Sequence, residues 1–233
     1  MELRRRFFRA VVTVLGLSLT APAQTASPSS SSNSAKHIKK PTASTGTALD
    51  AGAITNGVYR NKTLTLSCKI PEGWVLRTDE MNDRGEEEEE KDKPDSAPSP
   101  TPAASSTGAK VLLAAFSRPP DARAEDVNSS ILIAAESVAN YPGLKDASQY
   151  FGPLSEVAKA QGLTVDEDPY EIAVGTKTLV RGDFHKNIGS RVMHQSTLAM
   201  LSHGYAISIT VISGTEDEAE GLIDGLTFSA NGK

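Results

Sequence analysis

His185, His194 and His203 fall in a stretch of alternating, strand-like sequence, and imidazoles on adjoining strands are the material of a zinc site or of general acid-base catalysis. Their spacing argues against a shared centre. A turn at Lys186-Asn187-Ile188-Gly189 leaves His185 beside it, with His194 roughly 13 Å further along at the rise of a strand and His203 about 30 Å beyond that. Zinc–nitrogen bonds are about 2 Å long, so one ion is not expected to reach two of the three. His185 and His194 read as exposed strand positions and His203 as a turn residue.

The carboxylates give no stronger signal. Asp166, Glu167 and Asp168 stand together before Pro169, a pattern that suits a polar turn ahead of a strand better than an acid-base pair. The run Glu86 to Glu90 is straight, whereas a calcium loop needs oxygen ligands at turn-forming spacings around a sharp bend. Cys68 is the only thiol and cannot form an internal disulfide; it alternates with Leu64, Leu66 and Ile70, which points it into a core. Trp74 and Tyr205 could floor a ligand site, but beside a Pro-Gly turn and in a buried hairpin they read as core aromatics. No Gly-x-Ser-x-Gly elbow, His-Glu-x-x-His helix, phosphate-cradling loop or dinucleotide fingerprint occurs. The sequence therefore nominates no catalytic, cofactor-binding or metal residue, and no cofactor.

The elements that would carry these residues are better marked. Asn56 to Arg60 is a short extended segment, Asn61-Lys62 a turn, and Leu64 to Ile70 an alternating strand closed by Pro71-Glu72-Gly73. Gly73 to Asp79 and Lys110 to Ser117 both read as strand, and Ser130 to Val138 as another. Ala147, Tyr150, Phe151, Leu154, Val157 and Ala158 recur at helical spacing, with Gly152-Pro153 forcing a kink or restart and Gly162 a stop. Strands follow at Ile172 to Val174, Lys177 to His185, Ser190 to Leu201 and Tyr205 to Ser213, the last three joined as an antiparallel meander through turns at 186–189 and 202–204. A final helix opens with Thr215 and Glu218 as a capping box, Glu216 and Asp217 at its positive end, and Ala219, Leu222, Ile223 and Leu226 as its apolar stripe. Phe228 closes the domain.

Residues 1–23 have the form of an export signal: Arg4, Arg5, Arg6 and Arg9, an apolar run from Ala10 to Leu19, then Ala21-Pro22-Ala23. That run is too short for a spanning helix, which needs about 20 apolar residues, so no integral membrane span is expected after cleavage. The arginines resemble a twin-arginine signal, but Leu3 replaces its Ser or Thr, and the general secretory route is expected. A periplasmic or extracellular location follows. Residues 24–53 are rich in Ser, Thr, Ala and Pro and read as a disordered tether.

Residues 82–109 combine the acidic run with a Pro/Ser/Ala tract between two strands, which predicts a disordered insert in one domain spanning 54–229. The chain carries −5 overall. Four Arg against Glu2 make the signal +3, and eight acids against three bases make the insert −5, so the folded body is mildly acidic. With no basic stripe interleaved with aromatics, nucleic acid is not an expected partner.

Element order and size predict an α+β domain, an antiparallel sheet flanked by helices in an α/β/α sandwich. The Pro71-x-Gly73-Trp74 turn after a first strand, a central helix, a long terminal hairpin with Tyr205 near its turn, and a last helix followed by Phe228 resemble the PsbP/Mog1-type sandwich over 54–229, with the insert as a departure. The resemblance implies a noncatalytic binding or assembly module and carries over no functional residue. The expectation is an exported module binding a protein or small-molecule ligand; the alternative is a hydrolase-like envelope enzyme whose site is assembled from dispersed residues.

Overall fold

In the computed structural model, residues 49–83, 109–119 and 126–230 are described, so the signal, most of the tether and residues 84–108 of the insert lie outside the description. Two antiparallel sheets organise these residues. The larger has eight strands: β4 (Val75–Leu76), β5 (Lys110–Phe116), β6 (Ser130–Ser137), β7 (Thr164–Val165), β8 (Tyr170–Val174), β9 (Lys177–Ile188), β10 (Arg191–Ser202) and β11 (Tyr205–Ser213). Their order is β4-β5-β6-β11-β10-β9-β7, with β8 sharing the outer edge of β9. The smaller sheet runs β1-β2-β3-β12, from β1 (Ala53–Thr55), β2 (Val58–Asn61), β3 (Leu66–Lys69) and β12 (Leu226–Phe228).

Alternation along the central strands assigns the two faces of the large sheet. Ile131, Ile133, Leu198, Ile207, Ile209 and Val211 point to one face, where they pack with Leu66, Cys68 and Phe228 of the small sheet and with Ala219, Leu222 and Ile223 of the helix α2 (Glu216–Asp224). Val180, Phe184, Ala199 and Ala206 point to the other, against Tyr150, Phe151 and Ala158 of the helical segment ending in α1 (Phe151–Ala160). Further along that second face, Met81 of a short helix at 78–83 covers Val111, Ala114 and Leu132. Burying each large apolar side chain contributes about 1.5–3 kcal/mol, so the three clusters fix which face each strand turns inward.

Helices thus sit on both faces of an antiparallel sheet, but one outer layer is shared between α2 and the small sheet, which the sequence did not announce. Its strands β1 and β12 are three residues long, too short for alternation to register. A tight turn at Asn56-Gly57, both at positive φ, joins β1 to β2 within the segment read as extended, while the turn expected at Asn61-Lys62 is present between β2 and β3, over 62–65. The strand expected from Gly73 to Asp79 stops at Leu76, and 78–83 are helical, started after Arg77 and tied back by Met81 N–H to the Arg77 carbonyl, 3.1 Å.

Other elements follow the sequence closely. A 3-10 turn over Ala147–Tyr150 gives way to α1 at Phe151, so Pro153 sits in the first turn, where its missing N–H has no partner to lose. Gly162 (φ 80°) stops the helix. Thr215 accepts from the Glu218 amide, 3.2 Å, while the Glu218 carboxylate accepts from the Gly214 amide, 3.2 Å, one residue before the N-cap amide of the usual reciprocal bond. Cys68 is fully buried, and burial pushes its thiol up to about 12, as a structural core thiol requires.

Candidate functional site

Where β8, β9 and β10 leave the apolar core, their side chains on the α2 face become polar. Tyr170, Arg181 and Leu198 are cross-strand neighbours; Asp183 faces Ser196 on the next rung, and His185 faces His194 on the one after. Arg181 Nε donates to both oxygens of Asp183, 2.9 Å each, and its Nη2 reaches Ser196 Oγ, 3.2 Å, and Glu220 of α2. Tyr170 donates its hydroxyl to Asp183 Oδ2, 2.9 Å, and lays its ring 5.9 Å from the guanidinium carbon. Ser196 Oγ donates to Asp183 Oδ1.

These groups hold one another. The side chains of Arg181 and Asp183 are only 11% and 16% exposed, so each charge needs the other in a low-dielectric setting. Burial pulls the Arg181 guanidinium down, but the bonds from Glu220 and Asp183 outweigh it and the net shift is upward. Burial, then the bond to Asp183, pushes the Tyr170 hydroxyl up to about 12. Arg181 and Asp183 stand two apart on a strand, which puts them on one face, and α2 delivers Glu220 one turn after Glu216. That alternation was visible in Arg181-Gly182-Asp183, but nothing local marked the face as enclosed.

The histidine geometry corrects the sequence reading. The β9–β10 loop is only Gly189-Ser190, since Ile188 pairs with Arg191, and His185 and His194 lie equally far from it on either strand. They are therefore direct cross-strand partners rather than 13 Å apart, because the hairpin folds the chain back and the rise along one strand does not separate them. His185 Nδ1 contacts Asp166 Oδ1, and His194 Nδ1 lies 3.7 Å from Glu216 Oε1. Of the Asp166, Glu167 and Asp168 run, only Asp166 joins the cluster, its N–H bonding the Asp183 carbonyl at 2.9 Å. His203 is separate, at positive φ in the β10–β11 turn with its Nδ1 2.8 Å from Ser202 Oγ. Among the described residues, no three of His, Cys, Asp and Glu are grouped to hold a metal ion.

Beside His194 opens a groove of about 750 Å³. Its walls are Val127, Arg191, Val192 and the first turn of α2, including Glu216 and Asp217, and Arg191 pairs there with Asp126. Trp74 and Tyr205 do not reach it; both pack half-buried against the main core. The opposite face buries one further acid, Glu136, which accepts from Tyr141 and from Tyr150, the latter at 3.1 Å. The acidic run Glu86 to Glu90 lies outside the described residues.

No family model and no curated protein matches the chain. Solved structures do. LpqN, involved in cell envelope biogenesis of Mycobacterium tuberculosis, is 13% identical with a TM-score of 0.31, covering 71% of this chain and 83% of that one. A Pseudomonas aeruginosa protein of unknown function is 13% identical at 0.34, covering 51% and 77%. A Bacteroides thetaiotaomicron protein is 13% identical at 0.34, and the match covers 72% of this chain but 46% of that one. Among the described residues no helix is long and apolar enough to cross a membrane.

Proposed function

We propose that this chain is an exported binding or assembly module, working without catalysis in the periplasm or outside the cell, and that its ligand seats in the groove at the start of α2. The observation that carries this reading is the contrast between two polar regions. Around Asp183 the charges are enclosed, whereas in the groove the Arg191–Asp126 pair, Glu216 and Asp217 are exposed and line about 750 Å³ beside the half-buried apolar wall of Val127 and Val192. A few charges around a partly apolar floor suit recognition of a protein segment or small molecule. The acids outnumber Arg191, which favours a ligand bearing positive charge. The PsbP/Mog1-type resemblance and the signal-like residues 1–23 belong to the same reading.

Capture from an envelope extract of the source organism tests it, comparing the chain from Gln24 with an Asp217→Lys, Glu216→Lys variant. A partner retained by the first and lost by the second, with unchanged thermal unfolding, is the expected result. Retention by both forms, or turnover of any substrate above background, would count against the reading.

A further inference from the structure

We infer that His185 and His194 together bind a divalent transition-metal ion that prefers imidazole, with Cu²⁺ held most tightly. The site adjoins the groove and shares His194 and Glu216 with its lining, but the inference does not depend on the partner reading above. The two residues are direct partners across antiparallel strands and project from the same face, which puts their Cβ atoms about 4.5–5.5 Å apart. Two rings at that separation can converge on an ion with metal–nitrogen bonds of about 2.0–2.1 Å.

The carboxylates set which nitrogens are offered. Asp166, just past β7, takes the outer flank of His185, and Glu216, at the head of α2, takes the opposite flank of His194. Both contacts are at Nδ1. At His185 the carboxylate can only accept, so Nδ1 carries the proton and the Nε2 lone pair stays available, the arrangement found around ligating imidazoles; at His194 the 3.7 Å separation is an electrostatic contact beyond hydrogen-bond reach. With each Nδ1 turned outward, the bonding pattern of the ring places Nε2 on the distal, inner edge, over the gap between β9 and β10. Among the described residues neither Nε2 has a hydrogen-bond partner.

Access and charge agree. The His185 and His194 side chains are 33% and 21% exposed, open enough for an ion to enter and close enough to the sheet to be held. Asp166 and Glu216 supply negative charge against the cation. Asp183, one rung below, is engaged by Arg181 and is not a ligand. Because no third donor is grouped with the pair among the described residues, the remaining positions fall to water. For a nitrogen-rich site the affinity order rises to Cu²⁺ and falls at Zn²⁺.

The test is titration of the tag-free protein with Cu²⁺ and, separately, Zn²⁺ near neutral pH, read by calorimetry and by Cu²⁺ broadening of the histidine ring signals in NMR. One ion per chain is expected, with His185 and His194 broadened before His37 and His203, and Cu²⁺ tighter than Zn²⁺. His185→Gln and His194→Gln should each weaken binding at least tenfold while His203→Gln leaves it unchanged, all three keeping the wild-type circular dichroism without metal. Asp166→Asn should weaken it by about 10- to 100-fold, as for carboxylates that orient ligating histidines. Undiminished binding in the double His185→Gln, His194→Gln variant, broadening that begins elsewhere, or no binding at 100 µM free ion would overturn the inference.

Discussion

The side chain of Asn82 holds both backbone polar groups of Val111: its Nδ2 donates to the Val111 carbonyl at 3.0 Å and its Oδ1 accepts the Val111 N–H at 2.9 Å. It thereby acts as one rung of a strand, laid against β5 from the end of the 78–83 helix, and Thr78 Oγ1 accepts the Ala114 N–H at 3.0 Å in the same manner. The two ends of the segment 84–108 are consequently brought side by side.

From this geometry, replacing 84–108 with a short Gly/Ser turn should change stability by no more than about 1 kcal/mol, because closing a shorter loop is slightly easier and the ends are already adjacent. Asn82→Ala should destabilise by about 1–3 kcal/mol, since Val111 loses both partners at a half-buried site. Urea denaturation of the three proteins checks both. A loss well above 1 kcal/mol on shortening would mean that 84–108 packs on the domain.

The Arg181–Asp183 pair sets a second expectation. Arg181→Met leaves Asp183 enclosed without its cation and removes the partner of Glu220, so a loss of about 3–5 kcal/mol is expected. Adding Asp183→Leu should recover most of it, because the stranded charge is then gone. Glu220→Gln should cost under about 1 kcal/mol, as Glu220 is 52% exposed. Equal losses in the single Arg181→Met and the double variant, by thermal or urea unfolding, would show that packing rather than charge governs this spot.

Long, well-bounded elements were legible in the sequence because their signals are local: Tyr205–Ser213 by alternation, α2 by Thr215 and Glu218, the break before α1 by Gly152-Pro153. What escaped depends on distant partners. Leu226–Phe228 is a strand only because Leu66–Lys69 pairs with it, and Asn82 looks like part of a polar tract until Val111 is placed beside it. The same holds for the cluster on β8–β10. Whether His185 meets His194 turns on whether the hairpin loop has two residues or four, and Gly189 at φ 61° decides that only once the strands are paired.

Close packing supplies a third prediction. A Cβ on Gly182 would fall 2.6 Å from Phe151 Cε1, where the first residue of α1 presses its ring on β9. Gly182→Ala should therefore destabilise by about 1–3 kcal/mol despite the better strand propensity of alanine. Phe151→Leu in the Gly182→Ala background should regain part of that loss. If Gly182→Ala is neutral by calorimetry, α1 moves freely over the sheet.

Glu136 gives the last prediction its pH dependence. Burial raises its carboxyl above the usual range, and the bonds from Tyr141 and Tyr150, which pull the other way, do not cancel the effect. Between the ordinary value and the raised one, the native chain keeps a proton that the unfolded chain has released, so stability falls as pH rises across that window. The contribution is complete below about pH 4.3 and is lost as pH passes through the folded value. Glu136→Gln keeps an acceptor for the tyrosines and cannot ionise. Its unfolding free energy relative to wild type should therefore climb as pH rises above the ordinary carboxylate value and level off once pH has passed the raised folded value, starting at a deficit within about 1 kcal/mol from the altered hydrogen bonds. Paired denaturation curves across that range decide it: a difference that stays flat would mean that Glu136 ionises in the folded chain as readily as in the unfolded one.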